Sequence, residues 1–69
     1  MIILFAERLY QLRKESGLKQ IELAQKLGTT QRKVSYWESG KVEPDLLSLC
    51  QLVDLFDVSV DYLIGRKEF

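Results

Sequence analysis

Residues 20–39 read Gln20-Ile21-Glu22-Leu23-Ala24-Gln25-Lys26-Leu27-Gly28-Thr29-Thr30-Gln31-Arg32-Lys33-Val34-Ser35-Tyr36-Trp37-Glu38-Ser39. Two short amphipathic helical patterns meet here at a single turn. The first, 20–27, gathers Leu23, Ala24 and Leu27 on one side; the second, about 31–39, gathers Val34 and Trp37. Thr30 precedes the second and is its predicted N-cap, since a threonine hydroxyl accepts from a free backbone amide. Counted from Gln20, the fourth, eighth, fifteenth and eighteenth places are Leu23, Leu27, Val34 and Trp37, all apolar. Ala24 in fifth place lets the two helices cross closely. Gly28 in ninth place suits a turn that needs positive φ. Thr29 in tenth place is more polar than an aliphatic residue would be.

Working outward, the pattern predicts three more helices. One runs from about Leu4 to Ser16, with Phe5, Leu9 and Leu12 on one face and Gly17 as its stop. Lys41-Val42-Glu43-Pro44 reads as a loop. Asp45 then caps or opens a fourth helix to about Phe56, with Leu46, Leu49, Val53 and Phe56 inward and Leu47 and Cys50 widening that face. Ser59 caps a short fifth helix with Val60, Leu63 and Ile64 inward and Gly65 past its end. No window alternates as a strand does. The expectation is one all-α domain over 1–69, five helices around one core.

Composition narrows the function classes. At 69 residues, such a chain buries only about 60% of its unfolded surface, so its stability is modest. It has one cysteine and no histidine, which leaves no intrachain disulfide and no zinc site. Cys50 reads as a buried structural thiol. The apolar start Met1–Ala6 is too short for a signal peptide or a membrane span, so a cytoplasmic location with no membrane partner is expected. Net charge is zero, but it is unevenly spread. Arg13, Lys14, Lys19, Lys26, Arg32, Lys33 and Lys41 outweigh Glu15, Glu22 and Glu38 in residues 13–41. Glu43, Asp45, Asp54, Asp57, Asp61 and Glu68 outweigh Arg66 and Lys67 beyond them. A basic half can meet a polyanion although the whole chain is neutral.

Two helices joined by a tight turn form the layout of a helix-turn-helix, whose second helix enters the DNA major groove. The chain resembles the Cro/repressor helix-turn-helix family, also called XRE-like or lambda-repressor-like. The matching residues are Phe5, Glu7, Arg8, Leu9, Leu12 and Arg13, then Gly17–Gln20, Glu22–Gly28, Val34–Lys41, Pro44 and Leu52–Leu63. The resemblance covers nearly the whole chain. It implies a five-helix fold, binding to a double-stranded DNA operator, a transcriptional regulatory role, bacterial or phage origin, and a homodimer on DNA.

Gln31, Arg32, Ser35 and Tyr36 lie on the third helix away from Val34 and Trp37 and are the candidate base readers. A glutamine pairs bidentately with adenine, and an arginine with guanine. Tyr36 offers contact with a thymine methyl or a phosphate. The position of Gln31 reads a base in the family. Gln20 matches a family glutamine at a helix N-terminus that meets phosphate and in some members orients the base-reading glutamine. Lys19, Gln20, Thr30, Lys33, Ser39 and Lys41 are the candidate phosphate contacts. Lys19, Thr30, Ser39 and Lys41 read equally well as solvated surface. Arg13 and Glu38 match a family ion pair and are read as structural, with Ala24, Gly28, Val34 and Trp37. Trp37 and Tyr62 sit at core spacing rather than on an open stacking platform.

The leading reading is a sequence-specific regulator, a repressor, with no cofactor and no metal. The dimer would use the fifth helix and tail, or the exposed part of Met1–Leu4. The alternative is a protein-binding module, an antitoxin or anti-regulator, whose acidic half engages a regulatory protein partner. An enzyme is not expected, because no histidine, phosphate loop or nucleophile beside a base is present.

Overall fold

The computed structural model describes residues 3–68, and these form five α-helices and no strand. α1 spans Phe5–Glu15, α2 Gln20–Leu27, α3 Gln31–Ser39, α4 Leu46–Phe56 and α5 Val60–Ile64. The all-α, five-helix expectation holds, with α1 one residue shorter at each end.

Local signals in the sequence account for most of these boundaries. Thr30 Oγ1 accepts from the Lys33 amide at 3.2 Å, Asp45 Oδ1 from Ser48 at 2.9 Å, and Ser59 Oγ from Tyr62 at 3.0 Å. Each satisfies one of the amides that a helix start leaves free. α2 begins differently: the Glu22 carboxylate reaches back and accepts from the Lys19 amide at 2.8 Å. Gly28 ends α2 with φ +70°, and open space surrounds the position of a Cβ, so backbone freedom alone favours glycine there. Gly65 combines φ +91° with crowding, because a Cβ would lie 2.8 Å from the Leu4 side chain.

The core consists of Phe5, Leu9, Leu23, Ala24, Val34, Trp37, Leu52 and Leu63, all buried. Trp37 is fully buried and meets Phe5 edge to face, ring centroids 6.5 Å apart at 80°. The two ends of the described chain are tied together. The Leu4 amide donates to Ile64 O at 3.0 Å, and Arg8 Nη1 donates to Tyr62 O at 3.0 Å and Lys67 O at 3.2 Å. The Arg8 guanidinium also stands 4.3 Å from the centre of the Tyr62 ring, which places Tyr62 at the half-buried rim of the core.

α4 corrects two expectations. Cys50 is exposed, not buried. Leu46 and Leu47 stand out in solvent, and the buried side is instead Leu52, with Leu49, Val53 and Phe56 packed against the core. The physical reason is that α4, LLSLCQLVDLF, is apolar on nearly every side. A period of 3.6 picks out the inward face only when the other faces are polar. In α5, Leu63 is buried as expected, whereas Val60 is exposed.

Candidate nucleic-acid interface

α3 is held from beneath and leaves one long side free. Val34 and Trp37 anchor it in the core. At 100° per residue, Gln31, Ser35 and Ser39, with Arg32 and Tyr36 beside them, occupy the opposite arc. Gln31, Arg32, Tyr36 and Ser39 are exposed, and Ser35 is half-buried. The four candidate base readers therefore share one face, about 13 Å long from the rise of 1.5 Å per residue. Lys33 points off the flank, nearer the buried side. It lies close enough to Asp45 for its charge to help hold that carboxylate below the usual range, after hydrogen bonding from Ser48, which contributes most.

The two ends of α3 carry different groups. Thr30, Gln31 and Arg32 cluster at the start. At the other end Lys41 Nζ lies 5.3 Å from the centre of the Tyr36 ring, and the Lys41 amide donates to Tyr36 O at 2.9 Å. Ser39 Oγ donates to the same carbonyl at 3.2 Å. Tyr36, Ser39 and Lys41 thus form one corner, fixed by a backbone that turns at Gly40.

Behind this face lies an ion pair that joins three helices. Arg13 Nε donates to Glu38 Oε2 at 2.6 Å and Nη2 to Oε1 at 3.0 Å, a two-pronged contact between side chains only 9% and 5% exposed. Arg13 Nη1 donates to Leu18 O at 2.9 Å. Hydrogen bonding to Glu38 raises the Arg13 pKa although burial works against it, so this side chain stays charged. The pairing of Arg13 with Glu38 is the one expected from the resemblance.

Gln20 is where the structure adds most. Its Nε2 donates to Glu38 Oε1 at 3.1 Å. The carboxylate that accepts from Arg13 therefore also fixes the first side chain of α2. The sequence suggested Gln20 as a support for Gln31; the observed partner is Glu38. No spacing rule pairs positions 20 and 38, and only the crossing of α2 and α3 brings them together. Lys19 is exposed just before Gln20, at the start of α2.

The fold is shared with known proteins. The sequence model of one family, helix-turn-helix, matches residues 9–63. The chain belongs to the helix-turn-helix family. It is 39% identical over 61 residues to an uncharacterized HTH-type transcriptional regulator, YqaE of Bacillus subtilis, covering 88% of this chain and 53% of that one. A crystal structure of a transcriptional regulator from Listeria innocua superposes with a TM-score of 0.90 at 40% identity, covering 94% of this chain and 61% of that one. The P22 c2 repressor, solved with a synthetic operator, gives 0.85 at 28% identity, covering 91% of this chain and 96% of that one. The chain spans about half the length of the curated relatives it matches. None of the described helices is long and apolar enough to cross a membrane.

Proposed function

We propose that this chain is a sequence-specific reader of double-stranded DNA that regulates transcription in the cytoplasm, acting as a repressor. The observation that carries the reading is the exposed face of α3. Gln31, Arg32, Ser35 and Tyr36 stand on one arc of a helix whose other side is locked into the core. That face fits the major groove, with Gln31 and Arg32 as the principal base readers. Thr30 lies at one end of it, Ser39 and Lys41 at the other and Lys33 on its flank, and these, with Lys19 and Gln20 at the start of α2, set register on the phosphates. The likeness to regulators, and to a repressor bound to an operator, supports the same reading. The chain acts as a two-fold homodimer, with half-sites about 34–36 Å apart. Repression follows from occupying a promoter.

Selection from a random duplex library tests this, followed by binding of the winner across a salt series. A near-palindromic site, bound with an affinity that falls steeply with salt, is the expected result. A folded protein that enriches no sequence and binds only weakly at low salt would overturn it.

A further inference from the structure

We infer that Tyr10 and Lys14 of α1 hold a backbone phosphate of the duplex, further along the strand than the phosphate met at Lys19 and Gln20. The inference rests on the DNA-reading function proposed above and brings a third helix into the contact. Tyr10 is 47% exposed, in a domain that buries the rings of Phe5 and Trp37. Two cations accompany it: the Arg13 guanidinium lies 5.4 Å from the ring centre and the Lys14 ammonium 6.0 Å. They differ in what they are free to do. Arg13 is buried and committed to Glu38 and Leu18 O, so it steadies the ring. Lys14 is exposed and forms no ion pair among the described residues. Tyr10 and Lys14 are four residues apart, on one side of α1. A phenol and an ammonium both donate hydrogen bonds, and a phosphate oxygen accepts them.

Two observations choose a DNA phosphate as the occupant. First, the pair is continuous with the candidate interface. Arg13 links Tyr10 to Gln20 through one carboxylate, since Gln20 Nε2 donates to the same Glu38 that accepts from Arg13. The Leu18 carbonyl that Arg13 also holds leads directly into Lys19. Charges on one strand follow each other at about 3.4 Å along the duplex axis, so a backbone that passes Gln20 continues toward the Tyr10 side of Arg13. Second, the sign of the charge fits and is graded. Lys14 is in the last turn of α1, next to the start of α2, and Lys19 is exposed there. Glu15 lies more than a quarter of a turn around α1 from both Tyr10 and Lys14. The face turns acidic only at Glu7, one turn beyond Tyr10 and two beyond Lys14, and that marks where the contact ends.

The test titrates the duplex enriched by selection with the wild type, Tyr10→Phe and Lys14→Gln, each over a salt series. Both positions are exposed and both changes nearly keep the side chain's size; a circular dichroism melt confirms that the variants fold. Tyr10→Phe removes only the hydroxyl and should weaken binding about tenfold with the salt slope unchanged, the scale of one hydrogen bond to a charged group. Lys14→Gln should reduce the salt slope by about one. A set of duplexes, each with one phosphate replaced by an uncharged methylphosphonate, then locates the contact: one replacement should weaken the wild type and have a smaller effect on each variant. Unchanged binding by either variant would overturn the inference. So would a loss in Tyr10→Phe confined to one base pair, which would place the ring in the groove, or a loss that only tracks a lowered melting temperature, which would make the role structural. Equal sensitivity of all three proteins to every methylphosphonate would overturn it too. A wild type that enriches no duplex would refute the DNA-reading function itself, and this inference with it.

Discussion

Replacing Glu38 by alanine should be among the most damaging single changes available in this domain. The carboxylate accepts three hydrogen bonds, two from Arg13 at 2.6 and 3.0 Å and one from Gln20 at 3.1 Å. Its removal leaves the Arg13 guanidinium charged, 9% exposed, and with Leu18 O as its remaining acceptor. Stranding one partner of a buried pair costs about 3–5 kcal/mol. A domain of this size has about 3–10 kcal/mol of stability in total, at 0.05–0.15 kcal/mol per residue. With about 4–8 °C of Tm per kcal/mol for small domains, Glu38→Ala should lower Tm by at least about 12 °C. The assay is a thermal melt followed by circular dichroism, repeated in urea. A fall under about 4 °C, equivalent to less than about 1 kcal/mol, would refute the reasoning. A second arm isolates the cause. The double variant Arg13→Met, Glu38→Leu removes both charges and keeps comparable volume, which is often neutral or stabilising. It should melt well above Glu38→Ala. If it melts as low, the stranded charge is not the cause.

Three further outcomes follow from the interface and the caps. Arg32→Ala should cost about 1–3 kcal/mol and relax preference at one base pair only, read by competition among single-substituted duplexes; an even loss across all of them would reassign Arg32 to the phosphates. Lys41→Gln should weaken binding to every sequence alike and reduce the salt slope by about one, read by titrating the duplex at several salt concentrations; an unchanged slope would remove Lys41 from the phosphate contacts. Asp45→Ala should lower Tm at neutral pH by uncapping α4. Because hydrogen bonding from Ser48 lowers the Asp45 pKa below the usual 3.8, the native cap stabilises fully above that value and weakens as pH falls through the lowered one. The gap between the two proteins should therefore close in acid, and a gap that stays constant down to pH 2 would refute the carboxylate's role.

Legibility in the sequence followed polarity contrast. α2 and α3 each carry apolar residues on one side and charged or amide residues on the other, so Leu23, Ala24, Val34 and Trp37 could be placed inward from spacing alone. Thr30, Asp45 and Ser59 marked helix starts because their side chains cap amides only a few residues away. α4 lacks that contrast: with leucines on almost every side, the pattern does not distinguish Leu52 from Leu46 and puts the exposed Cys50 inward. The candidate site divides the same way. Gln31, Arg32, Ser35 and Tyr36 follow from one helix's periodicity. The hydrogen bond between Gln20 and Glu38, the charge of Lys33 near Asp45 and the clamp of Arg8 on Lys67 all depend on how separate helices cross, which local spacing does not encode.

Trp37 makes the domain its own reporter. It is the single tryptophan of the chain, fully buried on the side of α3 that faces away from the candidate base readers. Its indole Nε1 has no hydrogen-bond partner among the described residues. An indole so fully buried emits at shorter wavelength than one in water, so unfolding shifts its emission to the red. Base pairs docked on the opposite face touch none of it. Intrinsic fluorescence therefore follows the integrity of α3 without a label, and a variant whose spectrum is native but whose binding is lost has been altered at an exposed surface rather than in the fold beneath it.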